Sequence, residues 1–193
     1  MPDSTIVINT GPIIALIAAT GDLSLLSKLY SQVIVPREVC DEVLANGGTM
    51  FGAAEFAAAD GIERRNELVE IGSLLGQLLD RGEASVVQLA INEGIETVCI
   101  DEHLGRRVAR LNGLRVTGSL GILIRAKREG HSLCISDTVS RMREAGVFLS
   151  DRVIEAALRE AGEISSSGHR PPPTRRADGR QPSDTLNRNT SGA

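Results

Sequence analysis

Short apolar runs alternate along the chain with longer segments in which apolar residues recur every three or four positions. The apolar runs predict strands over 5–9, 32–35, 62–67, 97–100 and 114–117, of which 62–67 is the most weakly patterned. The helical spacing predicts helices between and after these strands. Strands that alternate with helices form βαβ units, so the pattern predicts an α/β fold with a mostly parallel central sheet.

Residues that favour helix ends mark the limits of several predicted helices. Thr10, Ser136 and Ser150 are the predicted N-caps, and Pro12 is suited to a first helical turn. The first predicted helix ends before Gly21, where a glycine breaks the pattern. The other predicted helices cover 23–30, 37–45, 51–60, 71–79, 83–92, 103–111, 119–128, 136–145 and 150–161.

The composition changes sharply after residue 164. Residues 165–193 combine serines, three consecutive prolines and five arginines, and such a segment buries too little apolar area to offset its ordering entropy. We therefore predict one folded domain over 1–164 and a disordered basic tail over 165–193. Five arginines and two aspartates give the tail a charge of +3, which leaves the domain near −7, because the whole chain carries −4. The tail either engages nucleic acid electrostatically or is a solvated extension.

Two further features of the composition exclude whole classes of protein. No apolar run approaches the roughly 20 residues of a membrane helix, and the first residues lack the basic region of a signal peptide, so a cytoplasmic protein without membrane contact is expected. Cys40, Cys99 and Cys134 are far apart and flanked by apolar residues, which predicts buried, reduced thiols. Three scattered histidines complete a pattern that excludes a zinc centre.

Polar residues follow two of the predicted strands. Asn9 ends the first strand, and Asp101 follows the fourth. The carboxyl ends of parallel strands lie at one edge of a sheet, where ligands bind. Glu42 lies in a helix that leaves this edge, and Glu83 lies at the start of a helix that begins there. The topology therefore predicts one crevice lined by these four residues.

Carboxylates crowded in one crevice repel each other unless a cation lies among them. Mg²⁺ and Mn²⁺ prefer oxygen ligands, and such ions hydrolyse phosphate esters by activating water and neutralising charge. The predicted chemistry is metal-assisted hydrolysis of a phosphodiester in the crevice lined by Asn9, Glu42, Glu83 and Asp101. In the alternative interpretation, Glu83 and Asp101 only cap helices and stabilise helix dipoles.

Two arginines are candidates for phosphate recognition, whereas the glycine-rich phosphate-binding turn of dinucleotide-binding folds is missing from the first strand–helix turn. Arg106 and Arg107 lie one turn inside the predicted helix 103–111, where they are either surface residues or contacts to a nucleic-acid backbone. The turn after the first strand, Asn9-Thr-Gly-Pro-Ile-Ile14, lacks the GxGxxG pattern of dinucleotide-binding folds. Dinucleotide binding is therefore set aside.

A series of short motifs occurs in order between residues 5 and 162. They are Val7-Ile-Asn-Thr-Gly-Pro-Ile-Ile-Ala-Leu16, Val33-Ile-Val-Pro-Arg-Glu-Val-Cys-Asp-Glu-Val43, Asp80-Arg-Gly-Glu-Ala84, Val98-Cys-Ile-Asp101 with Gly105-Arg-Arg107, Leu120-Gly-Ile-Leu-Ile-Arg-Ala-Lys-Arg-Glu-Gly130 and Ala145-Gly-Val-Phe-Leu-Ser150. Each motif is short, but their order and spacing are specific. In these motifs the chain resembles the PIN-domain family, and more narrowly its VapC-like branch.

The resemblance implies a Rossmann-like α/β/α sandwich and a Mg²⁺- or Mn²⁺-dependent ribonuclease, often the toxin of a bacterial toxin–antitoxin pair, and it implies a homodimer. It implies that the positions of the family's acidic metal and catalytic residues are Asn9, Glu42, Glu83 and Asp101. It also implies that Thr10 matches the family's hydroxyl residue beside the first acid, which belongs to the nucleic-acid site. The chain departs from the family at Asn9, where most active PIN nucleases carry aspartate. At Glu83 it keeps a carboxylate in place of the commoner aspartate.

Two hypotheses follow. The first is a metal-dependent endoribonuclease in which Glu42, Glu83 and Asp101 hold one or two cations, with Asn9 as a neutral ligand. Arg106 or Arg107 then contacts the RNA backbone. The second is a catalytically silent PIN-like module that binds nucleic acid or a partner protein such as a cognate antitoxin. The neutral Asn9 and the acidic domain favour the second, whereas the three carboxylates favour the first.

Overall fold

The computed structural model of the chain describes residues 5–45 and 50–164. Within this part the strands are β1 Thr5–Ile8, β2 Gln32–Val35, β3 Ile62–Arg64, β4 Thr97–Cys99 and β5 Arg115–Thr117. The helices in the same part are α1 Thr10–Thr20, α2 Ser24–Leu29, α3 Arg37–Val43, α4 Ala53–Ala58, α5 Ser73–Leu78, α6 Arg81–Glu93, α7 His103–Leu111, α8 Ser119–Arg128, α9 Ile135–Glu144 and α10 Asp151–Glu160. The predicted tail, 165–193, lies outside the described residues.

The strands form one sheet in the order β3-β2-β1-β4-β5, and every pair is parallel. The central strand β1 pairs on one side with β2, where Val7 faces Ile34, and on the other with β4, where Val7 faces Val98. Helices flank the sheet, so the predicted α/β fold with a parallel central sheet is confirmed. The strand order reverses beside β1, and in such sheets ligands bind at that point, outside the carboxyl ends.

Two buried helices hold the carboxyl edge of the sheet in place. Helix α1 packs against α3, α8 and α9, while α6 packs against β1, β4 and α3. Ile13 and Leu16 of α1 and Val86 and Val87 of α6 are almost completely buried. Each such side chain contributes about 1.5–3 kcal/mol through burial. The first turns of α1 and α6 are therefore fixed relative to the strand ends.

Two of the three predicted N-caps are wrong. The N-cap of α1 is Asn9, and Thr10 is the first helical residue. The reason is that β1 ends at Ile8, one residue earlier than predicted. The N-cap of α9 is Cys134 instead of Ser136. The prediction for α10 is confirmed, since the hydroxyl of Ser150 accepts a hydrogen bond from the Val153 amide at 3.4 Å.

Glu163 explains why α9 needs no serine cap. Its carboxylate accepts hydrogen bonds from the amides of Ile135 and Ser136, at 2.5 and 2.8 Å, and pairs with the Lys127 ammonium at 2.5 Å. Partial burial favours the neutral acid, but the hydrogen bonds from Lys127 and the two amides hold the Glu163 pKa at about 2. A residue far along the chain thus caps α9 and ties α10 to it.

The three cysteine thiols differ in burial. Cys40 and Cys99 are buried as predicted, and burial raises the pKa of Cys40 to about 11. The prediction for Cys134 is wrong, because its N-cap position before α9 leaves the side chain exposed. No helix within the described residues is long and apolar enough to cross a bilayer.

Candidate active site

Asn9 lies at the carboxyl edge of the sheet between two strands. Its amide donates a hydrogen bond to the Cys99 carbonyl at 3.0 Å, which extends the pairing of β1 with β4 by one residue. The side chain is 4% exposed, and its Oδ1 has no hydrogen-bond donor within residues 5–45 and 50–164. A buried oxygen without a donor loses solvation without compensation. The position is therefore suited to a ligand.

Glu42 is held close to Asn9 from the opposite side. The Thr10 hydroxyl donates a hydrogen bond of 2.7 Å to Oε2 of Glu42. This Oε2 and Oδ1 of Asn9 both face Gly82 in the first turn of α6. A Cβ atom on Gly82 would lie 2.8 Å from Oε2 of Glu42 and 3.3 Å from Oδ1 of Asn9. The absence of a side chain at Gly82 is what lets these two oxygens approach α6.

Glu83 is the third polar side chain at this edge. Asp80, the N-cap of α6, accepts the Glu83 amide at 2.8 Å, and Glu83 is only 5% exposed. Its Oε1 lies against Gly105 of α7 and has no donor in the described part of the chain. Burial raises the Glu83 pKa to about 7, aided by the charges of Asp80 and Glu102 and opposed by the amides of Asp80 and Gly105.

Asp101 follows β4 but turns toward the other end of the edge. Its Oδ1 accepts the Ser119 amide at 2.9 Å in the first turn of α8 and lies against the backbone of Gly118. Asp101 is exposed overall, yet the burial of this oxygen raises its pKa, against the opposing effect of the Ser119 hydrogen bonds and the Arg106 charge. Asp101 therefore stabilises the start of α8 with one oxygen, as the capping interpretation anticipates, and keeps the second oxygen for other contacts.

A family model described as a PIN domain matches residues 5–163, which is most of the chain. The chain belongs to the PIN-domain family. A search of curated proteins finds no match. PIN-domain membership indicates a nuclease-type function, nucleic-acid binding and the general use of divalent metal ions. The matched range includes all of the strands and helices described above and each of the candidate site residues.

Within this PIN domain the candidate nucleic-acid residues have different surroundings. Nη1 of Arg106 donates hydrogen bonds to the carbonyls of Ile100 at 2.8 Å and Thr117 at 3.0 Å, so this guanidinium joins the ends of β4 and β5. Arg107 is exposed on the next position of α7. The Thr10 hydroxyl is used by Glu42. Of the three residues, Arg107 is the one whose exposure suits a phosphate contact, and RNA binding by all three stays a prediction.

Two acids of the PIN domain's site were not among the predicted site residues. Asp80 caps α6 and raises the Glu83 pKa, and Oε1 of Glu102 lies 2.8 Å from where a Cβ on Gly11 would be. The spacing of Asp80 and Glu83 is that of a capping box, a signal that was visible in the sequence. Glu102 follows Asp101 directly, but only the structure shows which of the two acids faces α1.

The donor set of this PIN domain fits a hard divalent cation. Its two buried, unpartnered oxygens, Asn9 Oδ1 and Glu83 Oε1, are an amide and a carboxylate oxygen, which Mg²⁺ and Mn²⁺ accept as ligands. No group of three histidine, cysteine, aspartate or glutamate side chains in the described residues converges closely enough to hold a metal ion by itself. The protein therefore offers an incomplete ligand set, of the kind in which Mg²⁺ keeps several waters and binds substrate phosphate.

Proposed function

We propose that the protein is a Mg²⁺- or Mn²⁺-dependent endoribonuclease that hydrolyses phosphodiester bonds at the carboxyl edge of its sheet. The observation that carries this proposal is the pair of buried oxygens without donors, Asn9 Oδ1 and Glu83 Oε1, at the strand ends of a PIN domain. A buried oxygen without a donor is costly to a fold unless a cation or a donor satisfies it.

The residues take different parts in this mechanism. Asn9 and Glu83 would hold the cation, with Glu42 and Asp101 offering their second oxygens to the ion or its waters. When bound, the ion supplies an activated water and neutralises charge on the phosphate. The Thr10 hydroxyl orients Glu42 through their 2.7 Å hydrogen bond, and the exposed Arg107 contacts the RNA backbone.

The raised pKa of Glu83 also couples cation binding to pH. Because its pKa is about 7, the carboxyl group is partly protonated at neutral pH when no cation is bound. A ligand carboxylate must be deprotonated, so cation binding releases this proton and becomes tighter as pH rises.

The first test is metal-dependent RNA cleavage. The full chain is expected to cleave single-stranded RNA with Mg²⁺ or Mn²⁺ and to lose cleavage in EDTA. The same ions are expected to raise the thermal unfolding midpoint, since saturation at 100 times the dissociation constant adds about 2.7 kcal/mol. Asp137→Asn removes an exposed carboxylate from the first turn of α9, away from the candidate site, and serves as the control: its response to both ions should equal that of the unaltered chain. An unfolding midpoint that ignores both ions would contradict the metal site.

A silent PIN-like module is the second candidate, and the site itself favours it in one respect. Asn9 brings no charge, and the described carboxylates do not converge as a group of three. Such a module would bind nucleic acid or a partner protein without cleaving RNA. Binding of single-stranded RNA without cleavage in either metal ion is the result that supports this candidate.

The proposed toxin role and the homodimer need a protein-binding surface. Leu74, Leu78, Ile91 and Leu111 on α5, α6 and α7 are 40–78% exposed and border a cavity of about 510 Å³. Exposed apolar patches of this kind mark interaction sites. We propose that a second copy of the chain binds this surface. The cognate antitoxin would bind at a different place, the carboxyl edge of the sheet.

Leu111→Glu tests the placement of the second copy. Leu111 is 78% exposed at the end of α7, so its substitution leaves the core unchanged and introduces a charge into the proposed interface. We expect a dimer for the unaltered chain and a monomer for the variant in light scattering after gel filtration. Val153→Glu on the exposed face of α10 is the control. A variant that stays dimeric places the interface elsewhere.

A further inference from the structure

A cavity of about 320 Å³ lies beside the candidate active site, where α3 meets the start of α6. Four carboxylates border it, and one aliphatic and one cationic side chain complete the wall. These residues are Glu38, Asp41, Glu42, Asp80, Leu68 and Arg81. Acidic residues on a surface need no ligand, so the cavity becomes informative only through the state of its individual carboxylates.

Glu38 is the carboxylate that points to a ligand. Its side chain is 6% exposed, and Oε1 accepts the Val69 amide at 2.8 Å. The other oxygen, Oε2, is buried and meets no hydrogen-bond donor from the described residues. Buried carboxylates are usually paired or fully hydrogen-bonded, because an unpaired charge loses its hydration. Oε2 of Glu38 therefore indicates a position at which a ligand could donate a hydrogen bond.

The neighbouring carboxylates use only part of their capacity. Glu42 accepts the Thr10 hydroxyl with Oε2, and Asp80 accepts the Glu83 amide with Oδ1. Each keeps a second oxygen for a donor. Asp41 also borders the cavity, but its carboxylate is paired with Arg37 at 3.0 Å. The carboxylates of Glu38, Glu42 and Asp80 thus outnumber the single cation in the wall, Arg81, so the cavity favours a positively charged occupant.

The spacing of the acids decides between a metal ion and an organic cation. A divalent ion needs several oxygens within about 2.0–2.6 Å, and no three acidic side chains in the described chain converge in this way. A guanidinium group has five donors that diverge in one plane, so it joins carboxylates that are several ångströms apart. Leu68 offers an apolar surface for the methylene stem of such a group.

We propose that this cavity binds the guanidinium group of an arginine side chain, and that the chain's own segment 165–193 supplies it. This segment carries five arginines and a charge of +3, opposite in sign to the acidic domain. It follows directly after the last described residue, Ile164. A random coil of 29 residues would span roughly 30 Å on average, comparable to the diameter of a domain of this size, which would give an attached arginine an effective concentration on the order of millimolar.

The bound arginine would lie next to Glu42 and Asp80 at the mouth of the candidate active site. It would lower the negative charge of this edge in the absence of RNA. The inference concerns binding alone, so it does not depend on the proposed nuclease activity.

Butylguanidinium is the probe, because it carries the same head group on an aliphatic stem, and butylammonium is its comparator. Both are titrated by calorimetry into the unaltered full chain and into a chain whose five arginines after residue 164 are replaced by glutamine. We expect butylguanidinium to bind the glutamine variant roughly three- to tenfold tighter, because the intramolecular competitor is gone. Butylammonium is expected to bind more weakly than butylguanidinium to both chains.

Glu38→Gln, made in the five-glutamine chain, tests the cavity itself. Glutamine keeps the acceptor for the Val69 amide but loses the charge, so we expect about 10- to 100-fold weaker butylguanidinium binding. Glu55→Gln, in the exposed first turn of α4, is the matched control and is expected to change nothing. Asp41→Asn, at the exposed rim, provides a second variant that leaves the buried contacts intact and is expected to weaken binding by a smaller factor.

Three outcomes would overturn the proposal. Equal affinity of the probe for the unaltered chain and the five-glutamine variant would rule out the segment 165–193 as the source of the arginine. Binding that is insensitive to both Glu38→Gln and Asp41→Asn would rule out the cavity. Displacement of the probe by Mg²⁺ in a way that depends on Glu38 would show a metal site in its place. Since every readout is binding, an inactive protein still tests the proposal.

Discussion

Replacing Glu83 with glutamine is expected to reduce metal-dependent RNA cleavage by at least about 100-fold. Glu83 provides the buried carboxylate oxygen of the site that has no donor among the described residues, and glutamine removes its charge while keeping its size. The Glu83 amide still caps against Asp80 at 2.8 Å, so the start of α6 is preserved. The measurement is single-turnover cleavage of a labelled single-stranded RNA in Mn²⁺.

Glu55→Gln is the matched control, because it removes a carboxylate from the first turn of a helix remote from the carboxyl edge. Its activity should equal that of the unaltered chain. Retention of more than about a third of the activity by Glu83→Gln would exclude Glu83 from the mechanism.

The same variant has an opposite effect on stability. The Glu83 pKa rises from 4.5 to about 7 on folding, so the folded state binds the proton more tightly than the unfolded state. Stability is therefore fully present below pH 4.5 and declines as the pH rises through 7, by up to about 3 kcal/mol. Glu83→Gln lacks this decline. In EDTA it should unfold at a higher temperature than the unaltered chain at pH 8, and at nearly the same temperature at pH 4.

Asn9→Asp is expected to have the second largest effect, an increase in divalent-ion affinity and in cleavage of about tenfold or more. The substitution adds a charge at a buried position whose Oδ1 has no donor in the described structure and which faces Gly82 together with Oε2 of Glu42. In the absence of metal the new carboxylate is repelled by its neighbours, so the variant should be less stable in EDTA. Calorimetry with Mn²⁺ and the RNA cleavage assay measure both effects.

The outcomes of Asn9→Asp separate the two functional candidates. Cleavage by the unaltered chain that increases in the variant supports a nuclease with a weakened site. Cleavage that exists only in the variant supports the silent module. Asn66→Asp, an exposed position after β3, controls for the added negative charge and should leave affinity and cleavage unchanged. Absence of any change in Mn²⁺ affinity would remove Asn9 from the metal site.

The strand ends were predictable because the strand and helix periods are local signals and their alternation along the chain is typical of a parallel sheet. Asn9 and Glu83 follow from this, since one ends a strand and the other begins a helix that returns to the same edge. The direction of a side chain at that edge depends on distant neighbours. Asp101 accepts the Ser119 amide, and Arg106 donates to the carbonyls of Ile100 and Thr117; the sequence does not specify these partners.

The cap of α9 shows the same limit over a longer distance. A serine near the start of a helix is a local signal for an N-cap, and Ser136 carries this signal. The group that accepts the hydrogen bond of the Ser136 amide is nevertheless the carboxylate of Glu163, far along the chain. The outcome depends on how α10 packs against α8 and α9, which is a tertiary property. Glu102 was missed for a related reason, because two successive acids differ only in the direction that the backbone gives them.

The contacts of Glu163 show that the folding unit extends at least to this residue. The last helix of the described residues ends at Glu160, yet a fragment cut there would lose the carboxylate that satisfies two amides of α9 and neutralises Lys127. The family match extends to 163, so it includes this residue. A fragment for expression or crystallisation must therefore retain Glu163. The last turn of sequence beyond α10 is a structural part of the domain, and its carboxylate stays ionised in any ordinary buffer because its pKa is about 2.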